Sequence, residues 1–126
     1  MVSRNYDLEE RIVEFSSRII DVVESLPSSR AGNYIAGQLI RCGLAPALIY
    51  GEAQSAESRD DFIHKMKIGL KELKETRISL KIIKKKEMLK PVQRLDAISV
   101  ENEELIAIFS KSIDTAKKNK NLKPRY

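Results

Sequence analysis

Cys42 and His64 are the single cysteine and the single histidine of the chain, and together they are the residue types of a nucleophile and its general base. That chemistry needs the base beside the thiol and a third group to orient it. The surrounding pattern argues otherwise. Cys42 falls in an apolar period with Ile35, Leu39, Pro46, Ile49 and Ala53, where a cysteine usually acts as a small buried hydrophobe. His64 sits beside Phe62 and Ile63 and reads as an exposed or boundary side chain. One cysteine and one histidine also fall short of the ligands of a structural zinc site.

The carboxylates Glu52, Glu57, Asp60, Asp61, Glu72 and Glu75 are numerous enough for acid–base work or a metal pair. Helical di-metal sites add histidines at Glu-x-x-His spacing, which is absent here. No phosphate-binding glycine loop or triad accompanies the acids. The acids at 57, 60 and 61 follow the end of one helical pattern and open the next, as capping groups do. Glu52, between Tyr50 and Ala53 on a helix expected to be mostly buried, requires a cationic partner, with Arg41 or Arg77 the candidates. Glu72 and Glu75 are expected to pair with Lys71, Lys74 or Arg77, or with another subunit. No enzyme, cofactor or metal is expected.

The basic residues carry the better functional signal. Lys67, Lys71, Lys74, Lys81 and Lys85 recur near one face of a helix, and Lys84, Lys86, Lys90 and Arg94 extend the positive ground. Such a face can neutralise a phosphate backbone without reading its sequence. Glu72, Glu75 and Glu87 dilute it, and exterior lysines also serve solubility. A net charge of +5 and a pI near 9.4 agree with an anionic partner without requiring one.

Four helical segments must position these groups. In the first, roughly 7–26, Leu8, Ile12, Phe15, Ile19, Val22 and Leu26 alternate steps of four and three. Asp7 is its expected N-cap, with Pro27 beyond its end. The second, roughly 30–54, keeps its stripe through Gly43, Pro46 and Gly51. Proline inside a helix costs about 3 kcal/mol and favours a kink. The small residues around it let neighbouring backbones approach closely, so this helix is expected to be central, packed nearly all round by its own bundle and by neighbouring subunits, with Gly43, Pro46 and Gly51 as packing devices. The third, roughly 58–86, begins at the N-cap Ser58, ends at Lys84-Lys85-Lys86 and is the longest. The fourth, roughly 92–119, starts at Pro91 or at Ser99, a choice the pattern leaves open, and a frayed basic tail over 120–126 follows.

Short turns between long helices imply one all-α domain over 1–126, an antiparallel up-down-up-down four-helix bundle. The 126 residues, 42% hydrophobic and 33% charged, suit one core with highly charged outer faces. A single cysteine, no apolar run near the ~20 residues of a membrane span, and a start without a signal-like apolar segment suggest a cytoplasmic setting and no membrane.

The stretch LPSSRAGNYIAGQLIRCGLAPALIYGEAQSAESRDDFIHKMKIGLKELKETR, with NYDLEERIVEFSSRI before it and EELIAIFSKSIDTAKK after it, resembles the four-helix-bundle family named for reading frames within intervening sequences of 23S ribosomal RNA. Most distinctive are Gln38-Leu39-x-Arg41, Tyr50-Gly51-Glu52-Ala53, Ala56-Glu57-Ser58-Arg59-x-Asp61-Phe62 and Lys71-Glu72-Leu73-x-Glu75-Thr76. The resemblance implies assembly into rings, typically homopentamers. It also links the chain to the similar accessory variability determinants of diversity-generating retroelements, which bind nucleic acid and a reverse transcriptase. The chain departs from that pattern at Cys42 and Ala45, where relatives commonly carry serine, and at Ile49, where they carry asparagine.

Two functional readings follow. In the first, Lys67, Lys71, Lys74, Lys81, Lys84 and Lys85 bind RNA or DNA. In the second the protein is a structural or interaction module with no nucleic-acid role, joined to itself or a partner through apolar residues off the main stripes: Val13, Ile20, Tyr34, Leu44, Leu48, Ile63 and Ile78. Arg41, Gly43, Pro46, Gly51, Glu52 and Arg77 are the candidates for structure or oligomerisation.

Overall fold

The computed structural model describes residues 4–119, with their side chains from Leu8 onward. The chain forms α1 (Arg4–Glu24), α2 (Arg30–Gln54), α3 (Arg59–Lys85) and α4 (Asp96–Lys118), with a 3-10 turn over Val92–Leu95 leading into α4. No strand occurs among the described residues. Each helix packs on the next, and α4 returns to α1, so the four surround one core with α1 and α3 diagonally opposed. The basic tail over 120–126 lies outside the described residues.

Apolar periodicity sets which face of each helix turns inward. Ile12, Phe15 and Ile19 of α1, Leu39 and Cys42 of α2, Met66, Leu73 and Ile83 of α3, and Leu105 and Phe109 of α4 are essentially removed from solvent. Tyr50 tilts against Phe109, with ring centroids 6.3 Å apart. Ser29 caps α2 by accepting from the Gly32 amide at 3.0 Å, and Ser58 caps α3 by accepting from the Asp61 amide at 3.0 Å. Asp60 and Asp61 therefore complement the positive end of the α3 dipole, as their position suggests.

Several expectations need correction. α1 begins at Arg4, so Asp7 lies inside the helix rather than ahead of it, and it ends at Glu24, before Leu26. α4 starts at neither Pro91 nor Ser99: Val92–Leu95 make a 3-10 turn and the α-helix opens at Asp96. α2 runs through Pro46 as one helix, as its unbroken stripe suggests. Within one chain its outer side, with Tyr34 and Leu48, stands exposed, the side that the expectation gives to neighbouring subunits. A Cβ on Gly51 would meet nothing within 4 Å, whereas one on Gly43 would stand 2.7 Å from Cγ2 of Ile19. Gly43 and the buried Pro46 are thus packing residues of the bundle itself, whereas Gly51 lies on the open side of the single chain.

Candidate nucleic-acid interface

Positive charge on α3 gathers on the side opposite its buried stripe. Phe62, Met66, Gly69, Leu73, Thr76, Leu80 and Ile83 face inward. Lys67, Lys71, Lys74, Lys81 and Lys85 follow one another at three, four or seven residues on the outside, and all are exposed. From Lys67 to Lys85 the face runs about 27 Å at 1.5 Å per residue, enough to follow several phosphates of one strand. Its upper part holds a shallow groove of about 440 Å³ lined by Lys67, Leu70, Lys71, Lys74, Glu75 and Ile78. A similar depression of about 460 Å³ continues through Ile78, Lys81, Ile82, Lys85 and Lys86.

The acids that dilute this stripe in the sequence are largely drawn to its flank. Arg41 of α2 donates to Glu72 at 3.0 Å and to Glu75 at 2.6 Å, and those two bonds raise the guanidinium pKa, Glu75 contributing most. On the other flank Arg77 grips Glu103 of α4 through two bonds of 2.7 Å. The hydrogen bonds from Arg77, ahead of the charge attraction, hold the Glu103 carboxyl below its usual range. Arg11 closes the circuit from α1 to α4 with bonds to Glu101 and Glu104. Arginine forks thus tie neighbouring helices together and engage acids in doing so. The five outer lysines have no contact ion pair among the described residues. Lys84 differs, since its ammonium lies 2.9 Å from Asp96 and off the main face.

Glu52 does not meet Arg41 or Arg77. It binds Lys65 at 2.7 Å, and its side chain is 57% exposed, so it escapes the desolvation that would demand an arginine. Glu72 and Glu75 likewise bind Arg41 rather than the lysines beside them. Cys42 is buried, and burial pushes its thiol pKa up against weaker opposing bonds from Thr76 and Ser79. His64 is exposed. Among the described residues no group of three or more histidine, cysteine or carboxylate side chains is placed to hold a metal ion.

Polar residues inside the bundle escaped the sequence reading. Asn102 is buried and donates from Nδ2 to the Leu73 carbonyl at 3.1 Å, while Thr76 donates to the Glu72 carbonyl at 2.9 Å. Their signal was positional, since each falls on an inward step of its helix. Ile82, exposed one turn beyond Ile78, was also missed, whereas Leu44 and Ile63, expected outside, pack half-buried against the core.

Residues 4–111 match the family described as 23S rRNA-intervening sequence protein. The chain belongs to that family. The fold is also similar, at a TM-score of 0.80, to the crystal structure of a protein with unknown function from the S23 ribosomal protein family of Bacteroides thetaiotaomicron VPI-5482. The two are 26% identical over 89% of this chain and 99% of that one. No curated protein matches. No helix among the described residues is long and apolar enough to cross a membrane.

Proposed function

We propose that the protein is a non-enzymatic accessory protein that binds RNA or DNA through the outer face of α3, without reading base sequence. The observation that carries this is the separation of charge types: Arg41 and Arg77 engage Glu72, Glu75 and Glu103 between helices, while five lysines on one face have no contact counter-ion among the described residues. A face of that kind attracts a phosphate backbone by releasing its condensed cations. Membership of a family named for ribosomal RNA intervening sequences supports a nucleic-acid partner.

The bundle in this reading is antiparallel, up-down-up-down. Contacts between α2 and α3 support it, because Arg41 reaches Glu72 and Glu75 while Glu52, later in α2, reaches Lys65, earlier in α3. The family resemblance adds to this reading a homo-oligomeric state, a pentameric ring.

Replacing Lys71, Lys74 and Lys81 together by glutamate tests the reading. Fluorescence anisotropy with a labelled RNA should show binding by the wild type and none by the variant, with helical content unchanged. Equal binding by both proteins would refute it. The interaction-module reading predicts instead that neither protein binds RNA.

A further inference from the structure

Charge on the bundle is divided between two faces that point away from each other. α1 presents Glu9, Glu10, Glu14, Asp21 and Glu24 to solvent, and among them Val13 is 55% and Ile20 40% exposed. α3 presents its five lysines, with Ile78 54% and Ile82 45% exposed among them. α1 packs on α2 and α4 and its backbone stays clear of α3, so the two helices stand diagonally across the bundle. One chain therefore cannot satisfy its own lysine face with its own acidic face.

The residue spacings on the two faces correspond. On α1, Val13 and Ile20 are seven residues apart, as are Glu14 and Asp21, and Glu10 and Glu24 are fourteen apart. On α3, Lys67, Lys74 and Lys81 step by seven, and so do Lys71, Ile78 and Lys85. Steps of seven keep facing side chains in register along two helices that cross at a shallow angle of about 20°. Each face has exposed apolar residues with charge of one prevailing sign around them, Glu75 at the edge of the lysine face being engaged by Arg41, the apolar core and polar rim of a protein interface.

We infer that the acidic outer face of α1 of one copy docks on the lysine face of α3 of a second copy. Val13 and Ile20 pack against Ile78 and Ile82 with the acids set among the lysines. Opposite charge favours this pairing over α1 on α1 or α3 on α3, where like charges would meet. The contact is heterologous, because it uses two different surfaces on each copy. Each added copy leaves one acidic and one basic face open until rotation closes a ring, or a filament grows if it does not. A further consequence rests on the proposed function: docked α1 occupies the lysines that a polyanion would use, so assembly and polyanion binding compete.

Light scattering on two charge-reversed chains tests the docking. One carries Glu10→Lys and Glu24→Lys, the other Lys67→Glu and Lys81→Glu, all at exposed positions, with circular dichroism confirming the helices. The wild type should assemble, and each reversed chain alone should have the mass of a single copy, 14.4 kDa. Mixed in equal amounts, the two should assemble again, since the basic α1 of one now meets the acidic α3 of the other. A monomeric wild type, a reversed chain that keeps the wild-type mass, or a mixture that stays monomeric would each overturn the inference. RNA titration of the α1-reversed chain separates the two proposals, because its α3 is unaltered. Absence of RNA binding there, with the mass changes as expected, would remove the proposed function and leave the docking standing.

Discussion

Gly43 lies against Ile19 so closely that a single methyl group on it would come within 2.7 Å of Cγ2 of Ile19. This contact sets how near α2 approaches α1, and Ile19 has no solvent side to move toward. Gly43→Ala should therefore destabilise the bundle by about 1–3 kcal/mol through overpacking. Gly51→Ala, into open space on the same helix, should stabilise a single chain by about 0.5–1 kcal/mol. Urea denaturation of the two variants checks both signs.

Glu87 ends α3 in the left-handed region, at φ 50. Its amide bonds to the Lys84 carbonyl and that of Met88 to the Ile83 carbonyl, the paired bonds of a Schellman cap. The position favours glycine. Glu87→Gly should stabilise by up to about 1 kcal/mol, read as a higher urea midpoint at unchanged slope.

Asn102 donates to Leu73, but its Oδ1 is buried with no hydrogen-bond partner among the described residues. Asn102→Leu, close in size, should change stability by less than about 1.5 kcal/mol, because a half-satisfied amide contributes little. Asn102→Asp should cost several kcal/mol near neutral pH, on the order of 3–5, by burying an unpaired charge, and should recover as the carboxyl is protonated in acid. Thermal melts at two pH values distinguish these outcomes.

Glu103 is held ionised by Arg77, so its carboxyl titrates lower in the folded chain than in the unfolded one. The resulting stability is present above the unfolded value and is lost as pH falls through the folded value. The pair is exposed, which limits it to roughly 1 kcal/mol or less. Glu103→Gln should lose stability at pH 7 and match the wild type near pH 2, a convergence that denaturation across that range would show.

Helix identity was legible because the inward stripes repeat at three and four residues: Ile12, Phe15 and Ile19 in α1 and Phe62, Met66 and Leu73 in α3 all face the core as spaced. Ser58 with Asp60 and Asp61 was legible for a local reason, since a cap lies within one turn of its own helix. Long-range pairing was not. Glu52 met Lys65 instead of Arg41 because the partner depends on how α2 and α3 are set against each other, and no local pattern carries that offset. Gly43 and Gly51 were not separable by sequence for a related reason: a small residue marks a close approach within the bundle or a place on its outer face equally well until the neighbouring helix is placed. The lysine stripe was visible from spacing alone. That Glu72 and Glu75 turn toward Arg41 became visible only with α2 alongside.

The most direct measurement of the central claim is the affinity for a single-stranded RNA as a function of salt, for the wild type and for a chain carrying Lys71→Ala and Lys74→Ala. Log affinity should fall linearly with log salt concentration, by roughly 0.7 per phosphate neutralised, and the variant should be shallower by roughly 0.7 for each lysine removed. An RNA affinity that ignores salt, or a slope the two substitutions leave unchanged, would contradict the assignment of α3 as the binding face.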